Sequence, residues 1–462
     1  MAFDAISMIK AIGGILDSEE VDVKVRPALN RTKPHWRATV LRVAFVLVLA
    51  VIAAHAAQAQ TYAYSVLYRF RGNPDGAAPE AGLILDSSGN LYGTTTSGGK
   101  YKDCPEGFGN GCGTVFQLKP LAGNTWKETV LYSFKGDPDG VGPFAGLVWD
   151  GLGSLYGTTA EGGASSCFDS NPCGTVFRVT RESNGTWREK VLHSFSENND
   201  GGYPRANLIH DPAGNLYGTT STGGDSFNGY GTMFKISRAG VLTTLYTFTD
   251  GADGATSEAG LLRDSSGNYY GTTSSGGGSS HNGTVFKFDA AGTLTTLYAF
   301  DWGVVGGSEA GVIMDKSGNL YGTFPGDNGS DYGNIWQLSP SGNLTVLYSF
   351  TGGADGRVPT DGLIMDEAGS LYGTASFGGD KSCDSGSGCG VVYKLAHQSN
   401  GDWKLVVLHT FKGGSDGEVP YSTLLRDAVG NLYGTTVGGG YQHCVNRNES
   451  SCGIVFRLSV SH

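Results

Sequence analysis

One short string recurs seven times and sets most of what this chain can fold into. It reads GNLYGTT, GSLYGTT, GNLYGTT, GNYYGTT, GNLYGTF, GSLYGTA and GNLYGTT, with tyrosines at Tyr92, Tyr156, Tyr217, Tyr270, Tyr321, Tyr372 and Tyr433. Around it each unit carries four runs of strand length. The first is apolar and ends in Asp, as in 81–86 (AGLILD). The second is the repeated string. The third is GTVFQL (113–118) or a relative, and the fourth resembles TVLYSF (129–134). All are rich in β-branched and aromatic residues and are bounded by Gly, Asn, Asp or Ser turns. Four strands per repeat at tyrosine spacings of 51–64 residues are the pattern of propeller blades.

The ends of the repeat region decide between an open array and a closed ring. The region opens on a fourth-type run, 64–70 (YSVLYRF), with no first three before it. It finishes on a third-type run, 453–458 (GIVFRL), with no fourth after it. The offset predicts an all-β, seven-bladed propeller of four strands per blade, closed when the N-terminal strand completes the last blade. Closure leaves only short, protected strand edges.

Composition agrees. Glycine accounts for 75 of 462 residues, too many for a helical protein at roughly 1 kcal/mol per helical glycine. The 22 Tyr, 21 Phe and 7 Trp are too much apolar surface for a disordered chain. Residues 1–59 carry seven Lys/Arg and five Asp/Glu, leaving a net −13 on the remainder of a chain whose total is −11. That acidic body excludes a nucleic-acid footprint and docking on an anionic membrane surface.

An apolar run, Val43–Ala54, follows Arg37 and Arg42 and precedes AHAAQAQ. This is a secretory-signal pattern, with cleavage expected after Ala59; the rival is an uncleaved N-terminal anchor, the one route to a membrane. The expected domains are therefore 1–59, an extension and signal, and 60–462, the propeller. Localisation is secreted, periplasmic or cell-surface. Eight cysteines in four close pairs (Cys104/Cys112, Cys167/Cys173, Cys383/Cys389, Cys444/Cys452) read as disulfides of an oxidising compartment, not as a zinc site.

The D-x-x-G-N-L-Y-G-T-T-x-x-G-G core followed by G-T-V-F resembles the GloVer tandem-repeat family across residues 62–458. The resemblance implies an exported bacterial protein, often tethered by a C-terminal anchor, and implies no activity. No anchor is visible after the last run, a departure from the family pattern.

The repeated acids look structural. Asp86, Asp150, Asp211, Asp264, Asp315, Asp366 and Asp427 each begin a short turn, where Asp caps backbone amides. The seven tyrosines look like packing between blades, and the glycine after each implies a close neighbour. Asp75-Gly76 and five equivalents mark the links between blades.

The topology puts the loops between runs two and three on the same face as those links. These loops vary most, and function favours variable loops. They are Cys-clasped in units six, seven, one and two, one contiguous arc of the ring. Ligand-binding candidates on that face are Tyr101, Phe108, Phe168, Phe227, Tyr230, His281, Tyr332, Phe377, Tyr441 and His443. Asp327 and Asp331 form a weak calcium candidate, and no other metal and no cofactor is expected.

No HExxH, GxSxG or P-loop is present, and the histidines fall at non-equivalent repeat positions, so no catalytic residue is assigned. The expected role is a non-enzymatic binding or scaffold module for glycan or protein. The alternative is a glycosidase or lyase acting on extracellular polysaccharide.

Overall fold

The computed structural model describes residues 61–461 apart from 102–103, 105–110, 165–172, 197–199, 225–228, 301–309, 327–331, 399 and 447–448. The segment Val43–Ala54 lies outside the described residues.

The protein is a seven-bladed β-propeller. In blade one, strands Ile84–Leu85, Leu91–Thr95, Thr114–Pro120 and Trp126–Ser133 pair antiparallel in chain order, and the next five blades repeat this. Blade seven is built from Leu425–Arg426, Leu432–Gly438, Ile454–Ser461 and, as its outermost strand, Thr61–Arg69 from the other end of the chain. Tyr64 lies opposite Leu458, and Arg69 opposite Ile454. An extra short strand, Glu418–Pro420, also joins that sheet.

Burial explains each run. The repeated string is buried at every position in blade one, because both faces of the strand meet neighbouring blades. The outermost strand Trp126–Ser133 alternates instead, as expected for a strand with one face toward solvent. The third strands each carry a fully buried ring: Phe116, Phe177, Phe234, Phe286, Trp336, Tyr393 and Phe456. The tip of that ring lies beneath the glycine that follows the repeated tyrosine. A Cβ at Gly93 would stand 2.7 Å from Phe116 Cζ, so no side chain fits there.

The blades are joined by one aromatic pair per seam. The last residue of each fourth run meets the buried ring of the next blade edge-on: Phe134–Phe177 at 5.0 Å, Phe195–Phe234 at 5.2 Å and Phe350–Tyr393 at 5.3 Å. Such edge-to-face pairs add about 0.5–1.5 kcal/mol beyond the area they bury.

The first run forms a ladder over only two residues, Ile84–Leu85, shorter than the expected 81–86. Its first residues are held by the preceding blade instead. The Thr94 hydroxyl donates to the Ala145 carbonyl (3.0 Å) and Thr272 to Ala310 (3.0 Å). Thr435 does the same to Ala81 across the closing seam (3.3 Å). A strand at the axis has another blade beside it, and its backbone bonds sideways.

The turn acids behave as read. Asp86 accepts from the backbone of Ser88 and Asn90, from the Asn90 amide and from Tyr92 Oη. Burial alone would raise its carboxyl, but these bonds hold it below its usual value. The repeated tyrosines thus have two jobs, packing and a bond to their own turn.

The link acids also find partners, at a spacing the sequence reading missed. Asp139 takes a bond from Tyr132 seven residues earlier (2.8 Å) and from the Lys135 amide (2.9 Å). At two links the tyrosine is replaced by histidine: His193 contacts Asp200 (2.9 Å) and His409 contacts Asp416 (3.2 Å). This corrects the expectation that the histidines are scattered, since these two hold the same repeat position. The substitution hides the equivalence, because either ring can reach the carboxylate.

Candidate functional site

The blades enclose an axial cavity of about 660 Å³, to which all seven contribute their first runs. Its character follows from a three-residue stretch that begins each run. In blades one, two and four this reads Glu80-Ala-Gly, Phe144-Ala-Gly and Glu258-Ala-Gly; in three, six and seven it reads Arg205-Ala-Asn, Thr360-Asp-Gly and Tyr421-Ser-Thr.

The third position forms a tight ring about the axis. A Cβ on Gly82 would lie 3.0 Å from the Thr423 carbonyl oxygen, and one on Gly311 3.0 Å from that of Gly260. Asn207 and Thr423 are the two side chains inserted in this ring. Asn207 Oδ1 accepts from the Gly146 amide, and Thr423 Oγ1 donates to Asp361 Oδ1 at 2.6 Å.

The first position opens on the face of the inter-blade links and of the stapled loops. Here the Arg205 guanidinium lies over the Phe144 ring at 5.2 Å and contacts Glu258 Oε1 at 3.5 Å. Thr96 Oγ1 donates to Glu80 Oε1 at 3.1 Å. Asp361, where other blades have alanine or serine, is enclosed in the cavity wall. Burial raises its carboxyl to about 6, against the opposing bonds from Thr423 and the Gly362 amide. The mouth therefore offers a forked cation backed by an aromatic ring, and carboxylates at several heights.

The residues singled out from the sequence sit farther out, around the loops. Tyr441 is 47% exposed, with Arg71 over its ring at 5.3 Å. Arg357 covers Phe377 at 5.2 Å, and Lys100 lies 5.6 Å from the centre of Tyr101. His281 approaches Asp250 at 3.6 Å. Tyr230 is 39% exposed, and its carbonyl receives the Thr256 amide.

Tyr332 packs on Gly352, the place that the disulfides of other blades occupy on Gly136 and Gly72. It fills the role of the missing clasp. His443 lies in the strand Gln442–Asn446. Phe108, Phe168, Phe227, Asp327 and Asp331 lie outside the described residues. Of the described candidates, none lines the axial cavity.

The sequence did carry a signal for the cavity. The column holding Glu80, Phe144, Arg205, Glu258, Thr360 and Tyr421 changes in chemistry at nearly every repeat, while the leucine or valine three residues on stays aliphatic.

Disulfides join Cys104–Cys112, Cys383–Cys389 and Cys444–Cys452. Cys173 is also disulfide-bonded, and Cys167 lies outside the described residues. Among the described residues no cysteine is free. No helix among them is long and apolar enough to cross a membrane.

Family comparison accounts for the repeat. The model of the Gloeobacter/Verrucomicrobia repeat matches residues 54–167, 104–336, 168–385 and 308–462. The chain belongs to this GloVer repeat family. No curated protein matches it.

Among solved structures, the GloVer chain is similar to the extracellular domain of a protein described as a one-component system from B. thetaiotaomicron. That likeness has 10% identity and a TM-score of 0.49, over 85% of this chain and 40% of the other. The GloVer chain therefore spans less than half of that protein. It is also similar to a protein described as a 6-phosphogluconolactonase from Bacteroides uniformis, at 15% identity and a TM-score of 0.46, over 77% and 94% of the two chains. A luciferin-regenerating enzyme gives 13% identity and a TM-score of 0.40, over 86% and 95%.

Proposed function

We propose that this protein is an exported, non-enzymatic binding module that takes a glycan at the mouth of its axial cavity, on the face carrying the disulfide-stapled loops. The observation that carries the reading is the Arg205–Phe144 stack beside Glu258, at the rim of a concavity lined by all seven blades. A guanidinium backed by an aromatic ring and flanked by a carboxylate suits a saccharide, whose hydroxyls accept from the one and donate to the other. A concave site of this volume is in the small-ligand range of roughly 300–1,000 Å³, whereas a protein partner needs about 800 Å² of surface on each side. Export is supported by the three described disulfides and by the signal-like segment of the sequence.

Calorimetric titration with cellopentaose, maltopentaose and N-acetylchitopentaose tests the reading. At least one is expected to bind, with affinity falling about tenfold in Phe144→Ala. Failure of all three, or indifference to that substitution, overturns it.

One observation favours the second reading, a polysaccharide-acting enzyme. Asp361 is a carboxyl poised near neutrality in a cavity, the condition of a general acid or base. Turnover of a polysaccharide that disappears in Asp361→Asn would establish it in place of simple binding.

A further inference from the structure

A second cavity lies at the seam between blades five and six and opens on the opposite face, that of the short Asp turns. Its volume is about 760 Å³. Blade five supplies Tyr321, Gln337 and Thr345, and blade six supplies His397, Asp402 and Trp403. Trp403 opens the outermost strand of blade six and pairs with His397 across the long hairpin. The His397 ring meets the indole edge-on at 4.9 Å, and Tyr321 approaches it from the neighbouring blade at 6.5 Å.

The same hairpin tryptophan occurs twice more, so the three seams can be compared. At the seam of blades one and two, Trp187 belongs to a cluster with Tyr92, and Trp149 lies against Tyr92 at 5.1 Å. At the seam of blades seven and one, Arg457 reaches across to bond Asn124 in the hairpin at 2.7 Å. At the seam of blades five and six, Met365 holds the position of Trp149, and Gln337 holds that of Arg457. Methionine is smaller and flexible, and Gln337 turns to its own Tyr321 Oη at 2.7 Å. Two substitutions thus leave space beside an indole, and the space is edged by an amide, two hydroxyls and a carboxylate.

We infer that this inter-blade groove is a second glycan site, specific for neutral saccharide chains. The indole wall is apolar and of sugar-ring size. Gln337, Tyr321 and Thr345 supply donors and acceptors for hydroxyl groups. The Asp402 carboxylate at the edge disfavours acidic glycans. The site stands on a different face and on different residues from the axial one, so it does not depend on the reading above.

The test labels the full chain with ¹⁵N at its tryptophan indoles and assigns the Trp403 signal with Trp403→Phe. Cellopentaose, maltopentaose and N-acetylchitopentaose are added in turn, with polygalacturonate as the acidic control. The expected result is a saturable shift of the Trp403 signal with at least one neutral chain and none with polygalacturonate. Gln337→Ala should raise the Kd read at that signal at least fivefold, and Phe144→Ala should leave it unchanged. A Trp403 signal unmoved by all three neutral chains overturns the inference. So does a shift that persists unaltered in Gln337→Ala, or one that polygalacturonate reproduces.

Discussion

Phe70 and Phe116 meet edge-to-face at 5.1 Å across the seam where the first described strand closes the ring. Phe70 ends the strand that completes blade seven, and Phe116 is the buried ring of blade one; both are fully buried. The closing seam therefore uses the same contact as the other six. Phe70→Ala should cost about 3–5 kcal/mol, the range for deleting a buried phenylalanine, and so should Phe134→Ala at the next seam. Chemical denaturation of the two variants checks this. A Phe70→Ala protein as stable as wild type would mean that the ring does not depend on its N-terminal strand.

Raising the pH through neutrality should weaken two seams. Glu128 stands where blades three to six have leucine, facing the Asp75 link of the closing seam. Burial, and then the Asp75 charge, raise its carboxyl to about 8. Glu189 faces Asp139 in the same way, and burial likewise raises it. A carboxyl with a raised folded pKa binds more protons folded than unfolded, so stability falls as pH rises. Its contribution is fully present below the unfolded value near 4.5 and is lost as pH passes through 8. Melting temperature should fall between pH 5 and pH 8. Glu128→Gln with Glu189→Gln should flatten that fall, by on the order of 1 kcal/mol after allowance for partial exposure. An unchanged slope in the double variant would count against the acid pairs.

The acid limb has a separate origin. Asp86, Asp211, Asp264 and Asp315 are buried enough to raise their carboxyls, yet side-chain and backbone bonds, led by those of Asn90, Asn215, Asn268 and Asn319, bring each below its usual value. Their contribution is present above about pH 4 and is lost as pH falls through the lowered values. Asp264→Asn should cost about 1 kcal/mol at pH 7 and reduce the loss on acidification, measured by thermal melts from pH 7 to pH 2.

Two glycines separate strain from packing. Gly201 and Gly185 both adopt positive φ, +91° and +87°. A Cβ at Gly201 would fall 2.1 Å from Thr220 Oγ1, inside the blade, whereas one at Gly185 meets nothing within 4 Å. Gly185→Ala should cost about 1 kcal/mol, the backbone term alone. Gly201→Ala should exceed it by 2 kcal/mol or more, as overpacking of a tight interior does. Equal costs in denaturant melts would show that the link glycines are kept for conformation only.

The Cys383–Cys389 clasp closes a loop of sequence separation 6. Its removal in Cys383→Ser with Cys389→Ser should cost about 2 kcal/mol on the chain-entropy estimate. The cost should appear as faster amide exchange in that loop, with the central strand Leu371–Ala375 unaffected. Exchange spreading through the whole blade would make the clasp part of the core.

The repeat, its sevenfold count and the offset at its ends were legible in the sequence, and together they specify a ring closed by a borrowed strand. Strand pattern, turn acids and the tight glycine after each tyrosine are local demands of the backbone, repeated in every unit, and a linear chain displays them directly. The seam pairs such as Phe70–Phe116, the shared role of His193 and His409, and the Glu128–Asp75 contact join residues of neighbouring units or of unlike type. Only the packed ring shows them. The axial site lay further from view, because Phe144, Arg205, Glu258 and Asp361 come from four blades and converge only at the axis. They depart from the repeat, and a site needs that departure: seven identical blades would line the cavity with seven identical groups, and the fold alone decides which exceptions come together.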